Sequence, residues 1–132
     1  MLKEFKIETN HKTELIDITA KVEKIVEKLS IKTGLCTVFV PHTTAGVTIN
    51  ENADPTVKED ILRQINKVIP FKDNYQHLEG NSAAHIKATL FGSSEQIIID
   101  RRKLLLGTWQ SIYFAEFDGP RTRRVNIKLI EG

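Results

Sequence analysis

The chain has a single cysteine, no long apolar run and almost no excess of either charge, and each shortage removes a class of protein. Cys36, in the run "LCTVFV", cannot close an internal disulfide, so the expected setting is the reducing cytoplasm, with the thiol buried and inert. A nucleophilic role for it would need an exposed, electropositive neighbourhood. No stretch approaches the ~20 apolar residues of a membrane helix. The opening "MLKEFKIE" lacks the basic-then-apolar layout of a signal peptide. Lys and Arg number 19 against 17 Asp and Glu, a net charge of +2, and the densest basic runs, Arg101-Arg102-Lys103 and Arg121 to Arg124, are short. Without a basic stripe or interleaved aromatics, nucleic acid is not an expected partner, and neither is a membrane. G-x-S-x-G, the P-loop, G-x-G-x-x-G, H-E-x-x-H and C-x-x-C are all missing.

What is present is an ordinary globular composition: 132 residues, 40% hydrophobic and 27% charged, enough for one domain, 1–132, with a real core. There is no repeat and no linker. Residues 2–9 read as a strand and 13–18 as its partner. A helix capped by Thr19 carries Val22, Ile25, Val26 and Leu29 at helical spacing and ends at Gly34. A strand over 35–40 follows. Asp54 at the N-cap and Pro55 behind it open a second helix, whose buried stripe is Val57, Ile61, Leu62, Ile65 and Val68. Residues 71–81 are loop-like, and "SAAHIKATLFG" reads as a short helix capped by Ser82. "EQIIIDRR" is a strand and turn, and "TWQSIYFAEFDG" and "TRRVNIKLIE" are two long strands. The class is α+β: mixed, largely antiparallel sheets with two long helices and one short one covering one side.

In "AEFDGPRTRR", Gly119-Pro120 suits the centre of a type II′ turn. A two-residue loop would pair Asp118 with Arg121 and Glu116 with Arg123, a charged tetrad on one face. That face is otherwise apolar, through Ile112, Phe114, Val125 and Ile127. The tetrad reads either as cross-strand ion pairs at a wet edge or as the polar end of a buried face, suited to an anionic or zwitterionic ligand. On its other face the first of these strands carries Trp109, Ser111, Tyr113, Ala115 and Phe117, so a neighbouring subunit is a candidate cover.

"FVPHTTAGVTINENADP", residues 39–55, places a histidine and a polar cluster at the two ends of one short strand. Of four histidines, His11 sits alone in a charged turn. His42, His77 and His85 each lie at an element boundary among small or polar residues. Singly each reads as a surface or hydrogen-bonded core histidine; together they could converge on a metal or serve acid–base chemistry.

"PHTTAGVTINENADP", "EGNSAAHIKATLFGSS" and "LLLGTWQSIYFAEFDGPRTRRV" together resemble the YjbQ-like proteins, the secondary thiamine-phosphate synthase family, over about residues 5 to 130. The specific parts are H-T-T-A with N-E-N-A-D-P, G-N-x-x-A-H-x-K and E-x-D-G-P-R-x-R. The resemblance implies an α+β fold assembled as a homotrimer, with sites near subunit boundaries. It also implies weak thiamine-phosphate synthase activity, in which a pyrimidine methyl pyrophosphate joins a thiazole phosphate and pyrophosphate leaves. On this reading His42, His85 and Glu116 are catalytic. Thr43, Thr44, Asn50, Glu51, Asn81, Lys87, Asp118, Arg121 and Arg123 contact a small phosphorylated or anionic substrate. His42, His77 and His85 hold a divalent metal, zinc or magnesium. Residues 41–44 and 50–52 then form the wall of one polar pocket, while Asp54 is a helix cap only. The alternative is a non-catalytic trimeric protein that binds a metal or small molecule.

Overall fold

Residues Thr122–Glu131 bury Arg123, Val125, Ile127 and Leu129, every second side chain, the period of a strand with one covered face. The computed structural model describes residues 1–132. Its elements are β1 (Leu2–Glu8), β2 (Glu14–Asp17), α1 (Thr19–Leu29), β3 (Gly34–Phe39), β4 (Ala45–Glu51), α2 (Pro55–Val68), α3 (Ser82–Phe91), β5 (Ser94–Asp100), β6 (Lys103–Leu104), β7 (Gln110–Glu116) and β8 (Thr122–Glu131). They form one five-stranded sheet, β1-β8-β3-β5-β6, and one three-stranded sheet, β2-β7-β4. Every strand pair is antiparallel.

The two sheets share one core. Val38, Ile97, Val125, Ile127 and Leu129 of the larger sheet join Val47, Ile112 and Phe114 of the smaller one, and α1 adds Val22 and Val26. A second cluster lies on the other face of the small sheet, where Leu15, Tyr113, Ala115 and Phe117 pack on Ala84 and Ala88 of α3, flanked by Ile61 and Leu62 of α2. β7 is therefore buried on both faces, by the larger sheet and α1 on one side and by α3 and α2 on the other, so its own chain covers the face for which a neighbouring subunit is the candidate cover. Cys36 is fully buried in β3, and burial pushes its thiol up to about 11, so it stays protonated.

Three local expectations change. Residues 13–18 do not pair with β1; β2 pairs with β7, Leu15 opposite Ala115. β7 and β8 do not form a hairpin. Both edges of β7 are taken by β2 and β4 and both edges of β8 by β1 and β3, so neither has an edge left for the other. Residues 117–121 instead make a corner from one sheet to the other, with a cis Gly119–Pro120 bond in place of the type II′ turn. The stripe of α2 is only partly covered: none of its residues is buried, and Val68 is 63% exposed.

The caps divide similarly. Asp54 accepts the Thr56 N–H at 2.9 Å with Pro55 behind it, as expected. Thr19 is not a cap; its hydroxyl accepts the Ile112 N–H at 2.8 Å and ties α1 to β7. α1 ends on Ser30 in the left-handed region (φ 53°), before Gly34, which opens β3. α3 is preceded by Asn81 rather than capped by Ser82, and the Asn81 side chain does not cap. The two-residue β5–β6 turn is Arg101-Arg102 with φ of 52° and 66°, a type I′ turn that Asn-Gly fills more easily. A left-handed conformation costs a side chain such as Arg ~1–2 kcal/mol.

At Gly46, β4 runs close under α3: a Cβ there would stand 2.6 Å from the Gly92 carbonyl oxygen and 3.3 Å from Phe91 Cβ. Gly46→Ala must push the end of α3 off the sheet, with an expected loss of about 1–3 kcal/mol. Chemical denaturation checks this, and a wild-type midpoint would show that α3 is not packed so tightly.

Candidate functional site

The corner between β7 and β8 is built on an ion pair. Glu116 ends β7 and Arg123 stands second in β8, 0% and 3% exposed, so the pair bridges the two sheets where they meet. Arg123 Nε and Nη2 donate to the two Glu116 oxygens at 2.8 and 2.5 Å. The Thr9 hydroxyl donates to Glu116 Oε1 at 2.8 Å and the Asp118 N–H to Oε2 at 3.0 Å. Four donors fill the acceptor positions of the carboxylate, which leaves Glu116 no free edge for a substrate. Arg123 Nη2 also reaches the Thr44 hydroxyl at 2.8 Å. Burial raises the Glu116 pKa, but the bonds from Arg123, Asp118 and Thr9 outweigh it and hold it below the usual carboxylate range. Gly119 passes beneath the β1–β2 turn, where a Cβ would lie 2.3 Å from the His11 carbonyl oxygen, so only glycine fits.

Above this buried pair lies a wetter one. Arg121 Nη2 donates to Asp118 Oδ2 at 3.2 Å, with the two side chains 49% and 21% exposed. Asn81 Nδ2 donates to the same Asp118 oxygen at 3.0 Å. The other end of its amide, Oδ1, is buried without a donor, the sort of acceptor a water or ligand N–H completes. His85 is one turn further along α3, on the Asn81 side. The His77 ring meets it edge-on at 5.5 Å between centroids, and His77 Nε2 lies 3.8 Å from Glu79.

His42, in the β3–β4 loop, is half-buried beside the corner. Its Nε2 accepts the Arg124 backbone N–H at 2.9 Å, so the neutral ring carries its proton on Nδ1. Burial and then the Arg123 charge lower its pKa, partly offset by Glu116, and keep the ring neutral near pH 7. Nε2 is thus already bonded to the backbone and is not free to bind a metal.

The corner gathers Thr44, Glu116, Asp118, Arg121, Arg123 and Asn81, with His42 at its side. It does not gather the rest in one chain. Thr43 is exposed and has no side-chain bond. Asn50 and Glu51 stand at the far end of β4, opposite Ser111 and Gln110, whereas Ala45 is opposite Glu116. A strand rises ~3.3 Å per residue, so the two polar clusters are about 20 Å apart and cannot wall one pocket of a single chain. No three His, Cys, Asp or Glu side chains come close enough to hold a metal. His77 and His85 meet edge-on, but His42 does not join them as a third ligand. Lys87 is 0% exposed. Its Nζ donates to Asn66 Oδ1 at 2.6 Å and lies 3.5 Å from the Phe71 ring centre, with Lys12 4.0 Å from the same ring. It is walled from any ligand and braces α2, α3 and the 71–81 loop. Burial, and then Lys12, lower its pKa to about 8.

Thr9 has no signal in the sequence; only the β1–β8 register, running to Glu8 opposite Thr122, carries it to Glu116. Asn66 and Phe71 likewise join Lys87 only through the packing of two helices.

The family model described as UPF0047 protein YjbQ-like matches residues 3–132, and the chain belongs to that family. A UPF0047 protein of Methanocaldococcus jannaschii is 53% identical over 130 residues, covering 98% of this chain and 94% of that one. YugU of Bacillus subtilis, also a UPF0047 protein, is 50% identical over 131 residues, covering 98% and 99%. A crystal structure of the Clostridium acetobutylicum YugU orthologue is 56% identical and superposes with a TM-score of 0.95, covering 97% and 99%. A Sulfolobus solfataricus YjbQ-like protein of unknown function is 36% identical, with a TM-score of 0.96 over 100% and 97%.

Arg123→Ala leaves Glu116 buried and unpaired, at an expected cost of about 3–5 kcal/mol. The Glu116 contribution is present above the unfolded value of 4.5 and vanishes as pH falls through the lower folded one, so the wild-type advantage should shrink on acidification. Urea midpoints over that range test it, and an advantage that does not depend on pH would remove Glu116 from the account. For Lys87 the sign reverses. Its folded pKa is the lower, so its burial cost is full below about 8 and gone above 10.5. The stability of wild type relative to Lys87→Met should therefore rise between those two values. Parallel slopes for the two proteins would show that Lys87 titrates like an exposed amine.

Proposed function

We propose that the corner binds a small phosphorylated molecule and that the chain is an enzyme of the secondary thiamine-phosphate synthase kind, joining a pyrimidine methyl pyrophosphate to a thiazole phosphate. The observation that carries the reading is the contrast between the two ion pairs. The Glu116 carboxylate is sealed and takes all its bonds from Arg123, Thr9 and the Asp118 N–H, while Arg121, half-exposed above it, keeps a guanidinium edge for phosphate oxygens. The neutral His42 offers its Nδ1–H beside that edge, and Asp118 with the orphaned Asn81 Oδ1 offers acceptors for a ligand N–H. Glu116 acts by fixing the corner, not by touching substrate. A divalent metal, zinc or magnesium, does not fit the donors of one chain; in this reading it would need side chains from a second copy, and no step is assigned to it.

A second copy is part of the reading. The half-covered stripe of α2 lines an apolar groove with Phe91, through Val57, Ile61, Ile65 and Val68, and such a surface on a small domain favours assembly. The trimer number rests on the resemblance alone. No helix is long and apolar enough to cross a membrane, and a lone buried thiol suits the cytoplasm. Were the bound molecule released unchanged, the same corner would serve the non-catalytic reading, so turnover must be measured as well as binding.

Arg121→Ala should weaken pyrophosphate binding at least about tenfold yet change stability by under ~1 kcal/mol, because the pair it breaks is exposed. Calorimetric titration of both proteins, beside an assay of thiamine phosphate formation, tests it. Unaltered pyrophosphate affinity in the variant would refute the anion site. Light scattering is expected to give a trimer; a stable species of 15.0 kDa would refute the assembly.

A further inference from the structure

Three of the four non-glycine residues with positive φ, Ser30, Arg101 and Arg102, line a single cavity that shares no residue with the corner. The cavity, about 610 Å³, lies between the C-terminal half of α1 and the β5–β6 turn, and falls in the usual range for small-molecule sites. One wall is cationic: Arg101, Arg102 and Lys103. The facing wall is anionic: Glu23 and Glu27 of α1, together with the partial negative charge at that helix's C-terminal end. No ion pair joins the two walls.

The turn is held in place. The Arg102 N–H donates to the Lys32 carbonyl at 2.9 Å, and the Leu105 N–H to the Ile98 carbonyl at 2.7 Å. A hairpin needing only to reverse the chain would carry Asn-Gly here. Two arginines in left-handed geometry put two guanidinium groups on one side of the cavity against the local backbone preference, and strain of this sort concentrates at ligand sites.

We infer that this cleft is a second binding site, for a small zwitterion whose anionic group meets Arg101 and Arg102 and whose ammonium group meets Glu23 and Glu27. Three cations against two carboxylates favour a ligand with one net negative charge. A purely anionic ligand would satisfy the basic wall but would bring like charge towards Glu23 and Glu27. A purely cationic one would face the three basic side chains.

L-glutamate, glutarate and n-propylammonium separate these cases, because glutarate is glutamate without its ammonium group and n-propylammonium has no anionic one. Amide chemical shifts of Ser30, Arg101 and Arg102 are followed in the full-length protein during each titration. Saturable shifts are expected with L-glutamate, glutarate should bind about two- to fivefold more weakly, the scale of one solvent-screened ion pair, and n-propylammonium should leave these signals unmoved. Glu27→Gln should narrow the gap between glutamate and glutarate. The double variant Arg101→Asn/Arg102→Gly should lose the response while melting a few degrees higher, since it relieves the turn. Glutarate binding as tightly as glutamate would overturn the zwitterion assignment. Failure of L-glutamate to give a saturable shift at these residues would overturn the site itself, as would an undiminished response in the double variant.

Discussion

The arrangement of the chain turns on the Glu116–Arg123 pair. Removing two charges from water is costly, and their mutual attraction offsets that cost only where the geometry is good and the remaining hydrogen-bonding positions are filled. Here Thr9, just past β1, and the Asp118 N–H in the corner fill the carboxylate positions that the pair's own two bonds leave open, and Arg123 Nη2 also bonds to Thr44 before β4. The pair joins the two sheets at the place where the chain passes from one to the other. A hydrophobic pair could fill the same space, but without direction. The ionic pair fixes both the distance between β7 and β8 and the outward path of residues 117–121, and so the position of Asp118 and Arg121.

This division of labour explains how much of the site was legible beforehand. The spacing pairs Glu116 with Arg123 and Asp118 with Arg121 through a hairpin, and the fold makes no such hairpin. The pairs form all the same, because a corner of similar length brings the same residues together across two sheets. Sequence spacing constrains which side chains can meet across a short connection; it does not say whether the flanking strands share a sheet. That depends on whether β2 and β4 have already taken the edges of β7, a long-range fact. The same ambiguity misplaced the partner of β2. The two-sided burial of β7 was legible from its composition, but not which element covers it, since an apolar face does not name its partner.

Other parts were legible because their physics is local. Asp54 followed by Pro55 marks a helix start through one hydrogen bond and one fixed φ, and nothing distant competes. Thr19 looked equivalent and failed because its hydroxyl found the Ile112 N–H across the core. Lys87 sits in a polar motif and so reads as a ligand contact, yet its ammonium lies buried against Phe71 and Asn66. A long amphipathic side chain can turn either way, and only the packing of α2 and α3 decides.

His42 and the polar residues 50–52 sit at opposite ends of β4, and the ladder to β7 fixes that separation, Ala45 opposite Glu116 and Glu51 opposite Gln110. No rotation of side chains closes a gap of about 20 Å. His42 has moreover given its Nε2 to the Arg124 amide, and His77 and His85 have found each other. If the two halves of the motif "PHTTAGVTINENADP" serve one site, they must do so from different molecules, one copy supplying the His42 end of β4 and the next supplying the Asn50-Glu51 end. Without a second copy, the motif describes two separate surfaces: an anion-suited corner at one end of the strand and an amide-rich patch at the other.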